Sequence, residues 1–210
     1  MDVSRVRRDL GMSQEATIFA ASGRIGWFKG WELLLDAFTT LLLRRPGSQL
    51  FFIGDGEDRP RLESAIAARG LYSTVHITGF QTHSQIARYL NAANVVVSGS
   101  YAEGWSVAML EALACGKPLV STKVSGANQM ILPGKNGFIV QSRSPVEFAE
   151  AMENVLELRD VEPISTGIAR KYSMTRLGER LGTLWPPLCV EATELASTSE
   201  ARLGLTVSSD

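Results

Sequence analysis

The sequence predicts an α/β fold in which a doubly wound parallel sheet carries helices on both faces. Short runs of β-forming residues alternate several times with amphipathic helical patterns, which is typical of successive strand–helix units in a parallel sheet. Some strand segments are unbroken apolar runs, such as Ile-Phe-Ala-Ala at 18–21 and Val-Val-Val at 95–97. Continuous runs of this kind indicate strands that are covered on both faces.

Six strands and six helices can be placed along the chain. The predicted strands are 17–22, 49–53, 74–78, 94–98, 118–122 and 137–141. The predicted helices are 31–43, 59–69, 84–91, 107–115, 145–158 and 174–185. The first of these helices repeats leucines at helical spacing and ends before Arg-Arg-Pro-Gly, which stops a helix. Ser144 is predicted to cap the helix that begins at Pro145, because proline favours the first helical turn.

The length and composition predict one main globular domain. The chain has 210 residues, 45% of them hydrophobic, which is enough to bury a substantial core. We place this domain at 16–190. Residues 1–15 are expected to form a short helical connector, and 191–210, rich in Glu, Ala, Ser and Thr, a partly disordered tail.

Composition also excludes several classes of function. Lys and Arg total 21 against 22 Asp and Glu, so no nucleic-acid partner is expected. Neither a secretory signal nor a run of about 20 apolar residues is present in the sequence, which predicts a cytoplasmic protein. Cys115 and Cys189 lie far apart without metal-ligand spacing, so we interpret both as core residues and expect no disulfide or zinc site.

The segment from 100 to 118 carries the strongest functional signal. It follows the fourth predicted strand and leads into the helix at 107–115. In an open α/β sheet, ligands bind in the crevice beyond the carboxyl ends of the strands. The backbone N–H groups of Trp105, Ser106 and Val107, directly after Gly104, would lie at the helix start. Unpaired donors at that place suit an anion such as a diphosphate.

Two acidic residues of this segment each allow two interpretations. Glu111 is a carboxylate on an otherwise apolar helix, and such a group is costly to bury without hydrogen-bond donors. It either points to solvent or accepts hydrogen bonds from the vicinal hydroxyls of a ribose. The rise of about 7 Å from Ser106 to Glu111 fits the distance from a nucleotide's phosphates to its ribose diol. Glu103 is either a ligand at the rim of the crevice or a solvated loop acid.

The segment resembles the E-x7-E region of the group 1 glycosyltransferases. Glu103 and Glu111 have that spacing, Gly104 follows the first acid, and Ala-Cys-Gly-Lys-Pro follows the second. Three other segments keep the family's order. They are similar to its G-R-x4-K-G loop (23–30), its G-D-G turn (54–56) and its G-F turn (79–80). The match covers roughly 15–160 and implies a Rossmann-like domain, the C-terminal, donor-binding half of a family 4 retaining GT-B enzyme.

The resemblance implies a role for each matching residue. Glu103 would hydrogen-bond hydroxyls of the donor sugar, and Glu111 would hold the ribose. Gly54, Gly79 and Phe80 are expected at the nucleotide, with the 79–80 turn along the base. Backbone N–H groups of 104–107 would meet the phosphates. His76 and His83 find no catalytic partner, and we interpret both as structural.

Two basic residues of the 23–30 loop suit a diphosphate. The Arg24 guanidinium can donate two parallel hydrogen bonds to phosphate oxygens, and Lys29 can add a point charge. Negative charge grows on the leaving diphosphate as the glycosidic bond breaks, so these cations would stabilise the transition state more than the ground state. We therefore assign Arg24, Lys29 and Glu103 to catalysis. The alternative is that Arg24 and Lys29 are surface bases beside a turn.

The predicted function is transfer of a sugar from a nucleoside diphosphate, with retention, to a glycan or lipid-linked glycan. The resemblance implies no metal and no other cofactor. It also implies an N-terminal acceptor-binding half, supplied in cis or as a separate chain, without which the chain is expected to be inactive. A lipid-linked acceptor would bring the protein to the inner face of the membrane. Alternatives are a non-catalytic nucleotide-sugar-binding or regulatory module and a fragment of a nucleotide-sugar 2-epimerase.

Overall fold

The computed structural model describes residues 2–185, which contain one six-stranded parallel sheet in the order β3-β2-β1-β4-β5-β6. The strands are β1 (Thr17–Ser22), β2 (Ser48–Ile53), β3 (Val75–Ile77), β4 (Val95–Ser98), β5 (Leu119–Thr122) and β6 (Gly137–Val140). The predicted doubly wound parallel sheet is therefore confirmed. The chain order reverses between β1 and β4, and a crevice opens at the carboxyl ends of strands at such a switch point.

The helices follow the predicted alternation, with two additions. They are α1 (Val3–Asp9), α2 (Trp31–Leu42), α3 (Arg59–Ala68), α4 (His83–Ala92), α5 (Val107–Ala114), α6 (Ala127–Met130), α7 (Pro145–Asn154), α8 (Val161–Lys171) and α9 (Met174–Leu184). Short 3₁₀ turns lie at Trp27–Lys29 and Val155–Glu157, the second of which ends the helix predicted at 145–158. Neither α6 nor α8 was predicted. Pro163 and Gly167 disfavour a helix at α8, which forms because Ile168 is buried.

The chain divides into two compact units, Met1–Ala169 and Arg170–Asp210. The first unit contains the whole sheet. The described part of the second unit contains α9. Ser173 is the N-cap of this helix, and its side chain accepts a hydrogen bond from the Arg176 N–H. The tail predicted at 191–210 and Cys189 lie outside the described residues. No helix within 2–185 combines the length and the apolar character that a bilayer crossing requires.

The core of the first unit consists of two apolar layers, one on each face of the sheet. Phe19 of β1 belongs to one layer together with Phe38 of α2 and Phe148 of α7. The neighbouring Ile18 belongs to the other layer, with Leu90 of α4. Successive side chains of a strand point to opposite faces, so β1 is buried on both sides. This arrangement explains why the strands are continuous apolar runs in the sequence.

The segment predicted as a connector forms α1, which packs against the domain. Val6 is part of the second core layer. Arg7 is only 7% exposed and donates hydrogen bonds to the carbonyls of Ala92 (3.0 Å) and Gln14 (2.9 Å) and to Asn94 Oδ1 (2.8 Å). A buried guanidinium needs such acceptors. Arg7 therefore fixes α1 to the loop that precedes β4.

Candidate functional site

The loops that follow β1 and β4 meet at the switch point of the sheet. Gly30, at the end of the first loop, has φ +67°, and a Cβ added there would lie 2.0 Å from the carbonyl oxygen of Gly99. Only glycine allows this approach of two backbones. The Tyr101 N–H also donates to the Phe28 carbonyl at 2.8 Å. These contacts fix the loop that carries Lys29 against the loop that carries Glu103.

Lys29 and Glu103 form an ion pair across these two loops. Lys29 Nζ lies 2.6 Å from Glu103 Oε1, although 74 positions separate them in the sequence. The Ser100 hydroxyl donates to the same oxygen at 2.8 Å. The side chains of Lys29 and Glu103 are 29% and 12% exposed. Because a lysine ammonium has three donors, Lys29 can hold Glu103 and still donate to a ligand.

A small, partly open cavity of about 40 Å³ lies beside this ion pair. Arg24, Lys29, Glu103 and Ser106 all line it. The structure therefore brings the three residues predicted for catalysis to one place. Ser106 is the N-cap of α5, with its hydroxyl accepting from the Met109 N–H at 3.4 Å. The first backbone N–H groups of a helix have no intrahelical acceptor, so the start of α5 adds donors to this cavity.

A larger, open cavity of about 500 Å³ continues from the same loop. Gly23 and Arg24 line both cavities. Gly54 and Phe80, two of the residues predicted to contact the nucleotide, line the larger cavity, and Gly79 precedes Phe80 in the loop after β3. The volume lies within the usual range of small-molecule sites, about 300–1,000 Å³. The ring of Phe80 is exposed and can cover a flat ligand.

The G-D-G turn forms one wall of the larger cavity through backbone contacts. Gly54 has φ +148°, and a Cβ there would lie 2.1 Å from the Gly23 carbonyl oxygen. Asp55 accepts hydrogen bonds from the Gly56 N–H and from Arg59, both at 2.8 Å. These hydrogen bonds hold the pKa of Asp55 below its usual value, and the bond from the Gly56 N–H has a larger effect than the bond from Arg59. Asp55 is therefore an ionised residue that stabilises the turn.

Arg24 forms an exposed ion pair at the edge of the two cavities. Its Nε donates to Glu57 Oε2 at 2.7 Å, and both side chains are largely exposed. Two hydrogen bonds lower the pKa of Glu57: the larger effect comes from its own backbone N–H and the smaller from Arg24. Exposed ion pairs contribute little to stability. A more highly charged ligand can therefore draw Arg24 away from Glu57 at small cost.

Glu111 lies further from the ion pair than the other predicted residues. It lines neither of these two cavities, and its Oε1 lies 3.4 Å from Nδ1 of His83, at the start of α4. This contact gives His83 a partner that we did not predict. The side chain of His83 is 93% exposed. Glu111 itself is partly exposed. It therefore remains accessible to a ligand that extends from the larger cavity.

Two other predicted residues flank the start of α5. The ring of Trp105 packs on the turn before α6, where a Cβ added at Gly126 would lie 3.0 Å from the ring. Trp105 is partly exposed, and open space surrounds Gly104. Val107, the first residue of α5, is exposed as well. This end of the loop is thus accessible from solvent.

Arg143, in the loop after β6, also reaches this site and was not predicted. Its guanidinium donates to the carbonyls of Gly99 (3.0 Å) and Ser100 (2.7 Å) and lies 3.4 Å from the centre of the Tyr101 ring. A single arginine in a loop has no local sequence signal. Only the position of β6, whose carboxyl end lies at the same edge of the sheet, could have indicated it.

Across the part of the chain that is described, no group of three or more His, Cys, Asp or Glu residues could hold a metal ion.

Sequence comparisons identify relatives of this domain. Residues 2–168 match the family described as glycosyl transferases group 1. Alpha-D-kanosaminyltransferase of Streptomyces kanamyceticus is 36% identical over 168 residues, which cover 78% of this chain and 44% of that protein. D-inositol 3-phosphate glycosyltransferase of Geodermatophilus obscurus is 29% identical over 208 residues, covering 95% and 46%. The chain spans about half the length of these relatives.

Solved structures show the same fold. HepE of Anabaena, in complex with UDP and glucose, gives a TM-score of 0.77 at 23% identity and covers 89% of this chain and 52% of its own. The C-terminal domain of a group 1 glycosyl transferase, LpcC of Francisella tularensis, gives 0.71 at 21% identity, covering 82% and 94%. The fold is therefore that of the C-terminal domain of GT-B enzymes. Together with the family match, this shows that the chain belongs to the group 1 glycosyltransferases.

Proposed function

We propose that this domain binds a nucleoside-diphosphate sugar in the crevice between β1 and β4 and serves in retaining transfer of the sugar to an acceptor. One observation supports the proposal above the others. Lys29 and Glu103 meet at 2.6 Å beside the start of α5, in a cavity that Arg24 also lines. Two cations and the positive end of a helix suit a diphosphate, and a carboxylate next to them suits sugar hydroxyls.

The proposed catalytic effect is electrostatic. Lys29, Arg24 and the first N–H groups of α5 bind the diphosphate, whose negative charge increases as the bond to the sugar breaks. Donors that are already in place stabilise this developing charge without further reorganisation. Glu103 accepts hydrogen bonds from the donor sugar through its carboxylate, which Lys29 and Ser100 hold in position. No metal takes part in the proposed reaction.

The nucleoside occupies the larger cavity in this proposal. The base lies along the 79–80 turn, against the ring of Phe80 and the backbone of Gly54, which line that cavity. Glu111 accepts hydrogen bonds from the ribose hydroxyls and exchanges its contact with His83 for them. That exchange is easy because the histidine is exposed and the contact is long.

Acceptor binding is assigned to a second, acceptor-binding half of the enzyme. The relatives are about twice as long as the region they share with this chain, since the shared region is 44% and 46% of their lengths. We propose that such a half works with this domain, in the same polypeptide or as a separate chain. The proposed acceptor is a glycan or a lipid-linked glycan, and a lipid-linked one would place the reaction at the cytoplasmic face of the membrane.

Calorimetric titration with UDP, GDP and ADP tests donor binding. We expect one of the three to bind with a dissociation constant in the micromolar to millimolar range. This range corresponds to a favourable binding free energy of about 4 to 8 kcal/mol. Glu111→Ala should weaken that binding, whereas Arg69→Ala should not, because Arg69 follows the last residue of α3 and pairs with Asp36. Absence of binding to all three at millimolar ligand would exclude the proposal.

An activity assay with an acceptor-binding half separates the remaining alternatives. A transferase forms a glycosylated acceptor and a nucleoside diphosphate. An epimerase converts the nucleotide sugar without an acceptor. A non-catalytic module binds the nucleotide sugar and turns over neither substrate, which would contradict the proposed enzymatic role.

A further inference from the structure

We propose that Arg143 is a positioning residue that holds the loop from Gly99 to Ser106 so that Glu103 can bind the donor sugar. This inference rests on the proposed function, because it concerns the orientation of Glu103 in that site. Arg143 lies in a different loop, between β6 and α7, and is 40 positions from Glu103. It acts through the backbone of the loop and does not itself touch the proposed donor.

The guanidinium of Arg143 holds the loop at three points. Its two terminal nitrogens donate to the consecutive carbonyls of Gly99 and Ser100, at 3.0 and 2.7 Å. The same group stacks over the ring of Tyr101, with 3.4 Å between Cζ and the ring centre. Three consecutive residues of the loop are thereby fixed by one planar cation. Such a fork, combined with stacking, is specific to arginine.

Ser100 connects this contact with Glu103. Its carbonyl accepts from Arg143 and also from the Thr122 hydroxyl at 2.7 Å, and the residue is 2% exposed. Its own hydroxyl donates to Glu103 Oε1 at 2.8 Å. The orientation of the Ser100 hydroxyl therefore depends on a backbone that Arg143 and Thr122 hold. Loss of Arg143 removes one of the two side chains that fix this carbonyl.

Within the described part of the chain, the charge of Arg143 is not used in an ion pair. Among residues 2–185, no carboxylate lies within 4.0 Å of its guanidinium. Its interactions are with backbone carbonyls and an aromatic ring, so removing it leaves no unpaired carboxylate behind. The expected consequence is a looser loop, with the Lys29 loop still fixed by the backbone contact of Gly30 with Gly99.

Hydrogen exchange measures the loop without any ligand. We expect Arg143→Ala to accelerate amide exchange in peptides covering 99–106 by about tenfold, the effect of losing one hydrogen bond to a charged group. Arg143→Lys keeps a donor but not the fork, and should lie between Ala and the parent. Arg69→Ala is the matched control, because Arg69 is another exposed arginine that donates to a backbone carbonyl, that of Ala65 at 3.1 Å. It should leave exchange at 99–106 unchanged.

Binding then separates positioning from general destabilisation. The dissociation constants of UDP-glucose and UDP, or of GDP-mannose and GDP for a guanine-specific site, are measured for each variant. Arg143→Ala should raise the ratio of the nucleotide-sugar constant to the nucleotide constant about fivefold or more, with Arg143→Lys restoring part of it. A merely structural residue would weaken both ligands equally and leave this ratio unchanged.

Each result has a distinct meaning. Parent-like exchange at 99–106 in Arg143→Ala overturns the inference. A faster exchange with an unchanged ratio also overturns it, because Glu103 would then not depend on the loop. If the parent binds neither nucleotides nor nucleotide sugars, the proposed function fails, and the exchange measurement still decides whether Arg143 holds the loop.

Discussion

Lys29→Met should weaken binding of the preferred nucleoside diphosphate by about 10- to 100-fold. The variant removes the ammonium group but keeps most of the aliphatic length of the side chain. A hydrogen bond between a charged donor and its acceptor contributes about 1.5–3 kcal/mol, and 1.4 kcal/mol corresponds to a factor of ten. Lys29 lines the same small cavity as Arg24 and the N-cap of α5. We therefore expect the loss of one direct phosphate contact while the other donors remain.

The same substitution affects the stability of the free protein through Glu103. Lys29 and Ser100 both donate to Oε1 of this carboxylate, which is 12% exposed. Without Lys29, Glu103 keeps only the neutral donor, and we expect a loss of about 1–3 kcal/mol in the free energy of unfolding. The double variant Lys29→Met/Glu103→Gln removes the unpaired charge. It should regain stability but not diphosphate affinity.

Calorimetry and urea unfolding measure these two effects separately. Lys135→Met is the control, because Lys135 is an exposed lysine in the turn before β6, away from both cavities. It should match the parent in both assays. Diphosphate affinity within twofold of the parent in Lys29→Met would refute the assignment of Lys29 to the phosphates. Recovery of affinity in the double variant would refute it as well.

Three further predictions concern the fold around the site. Arg7→Met should destabilise the domain by about 3 kcal/mol in urea unfolding, because it removes three hydrogen bonds from a buried guanidinium, one of them to the carbonyl of buried Ala92, whereas exposed Arg8→Met should not. Gly30→Ala should cost more than about 2 kcal/mol, because its Cβ would meet a carbonyl at 2.0 Å, while Gly47→Ala has open space. Burial lowers the pKa of His76 below 6.5, so the unfolded chain binds more protons and unfolding free energy should fall from pH about 7.5 to 5.5. His76→Phe should flatten that slope, and an equal slope in both proteins would contradict this reasoning.

The order of elements could be predicted because two sequence features indicate the buried strands. Most contain a run of apolar residues, and β1, β2 and β4 are each followed directly by a glycine, namely Gly23, Gly54 and Gly99. The predicted strands consequently agree with the observed ones to within one residue at each end. The helix α8 could not be predicted in this way. Its Pro163 and Gly167 oppose helix formation locally, and the burial of Ile168 against the second core layer decides the outcome.

Some features of the site could also be predicted from local sequence, whereas others depend on tertiary packing. Lys29 and Glu103 each stand in a recognisable segment that follows a strand, and parallel strands bring their carboxyl ends to one edge, so their proximity could be expected. The 2.6 Å contact itself requires the close approach of Gly30 and Gly99, which depends on tertiary packing.

Arg143 shows why part of such a site stays hidden in one sequence. Its effect on Glu103 passes through two carbonyls and the Ser100 hydroxyl, and a backbone carbonyl has no sequence identity. Any residue could supply those carbonyls, so no motif around Ser100 indicates an arginine partner. A hydrogen bond from a long side chain to a backbone carbonyl therefore cannot be predicted from one sequence. The structure is needed to identify such a bond beside a proposed catalytic residue. Here that contact joins the loop after β6, the strand at the edge of the sheet, to a loop at the centre of the sheet.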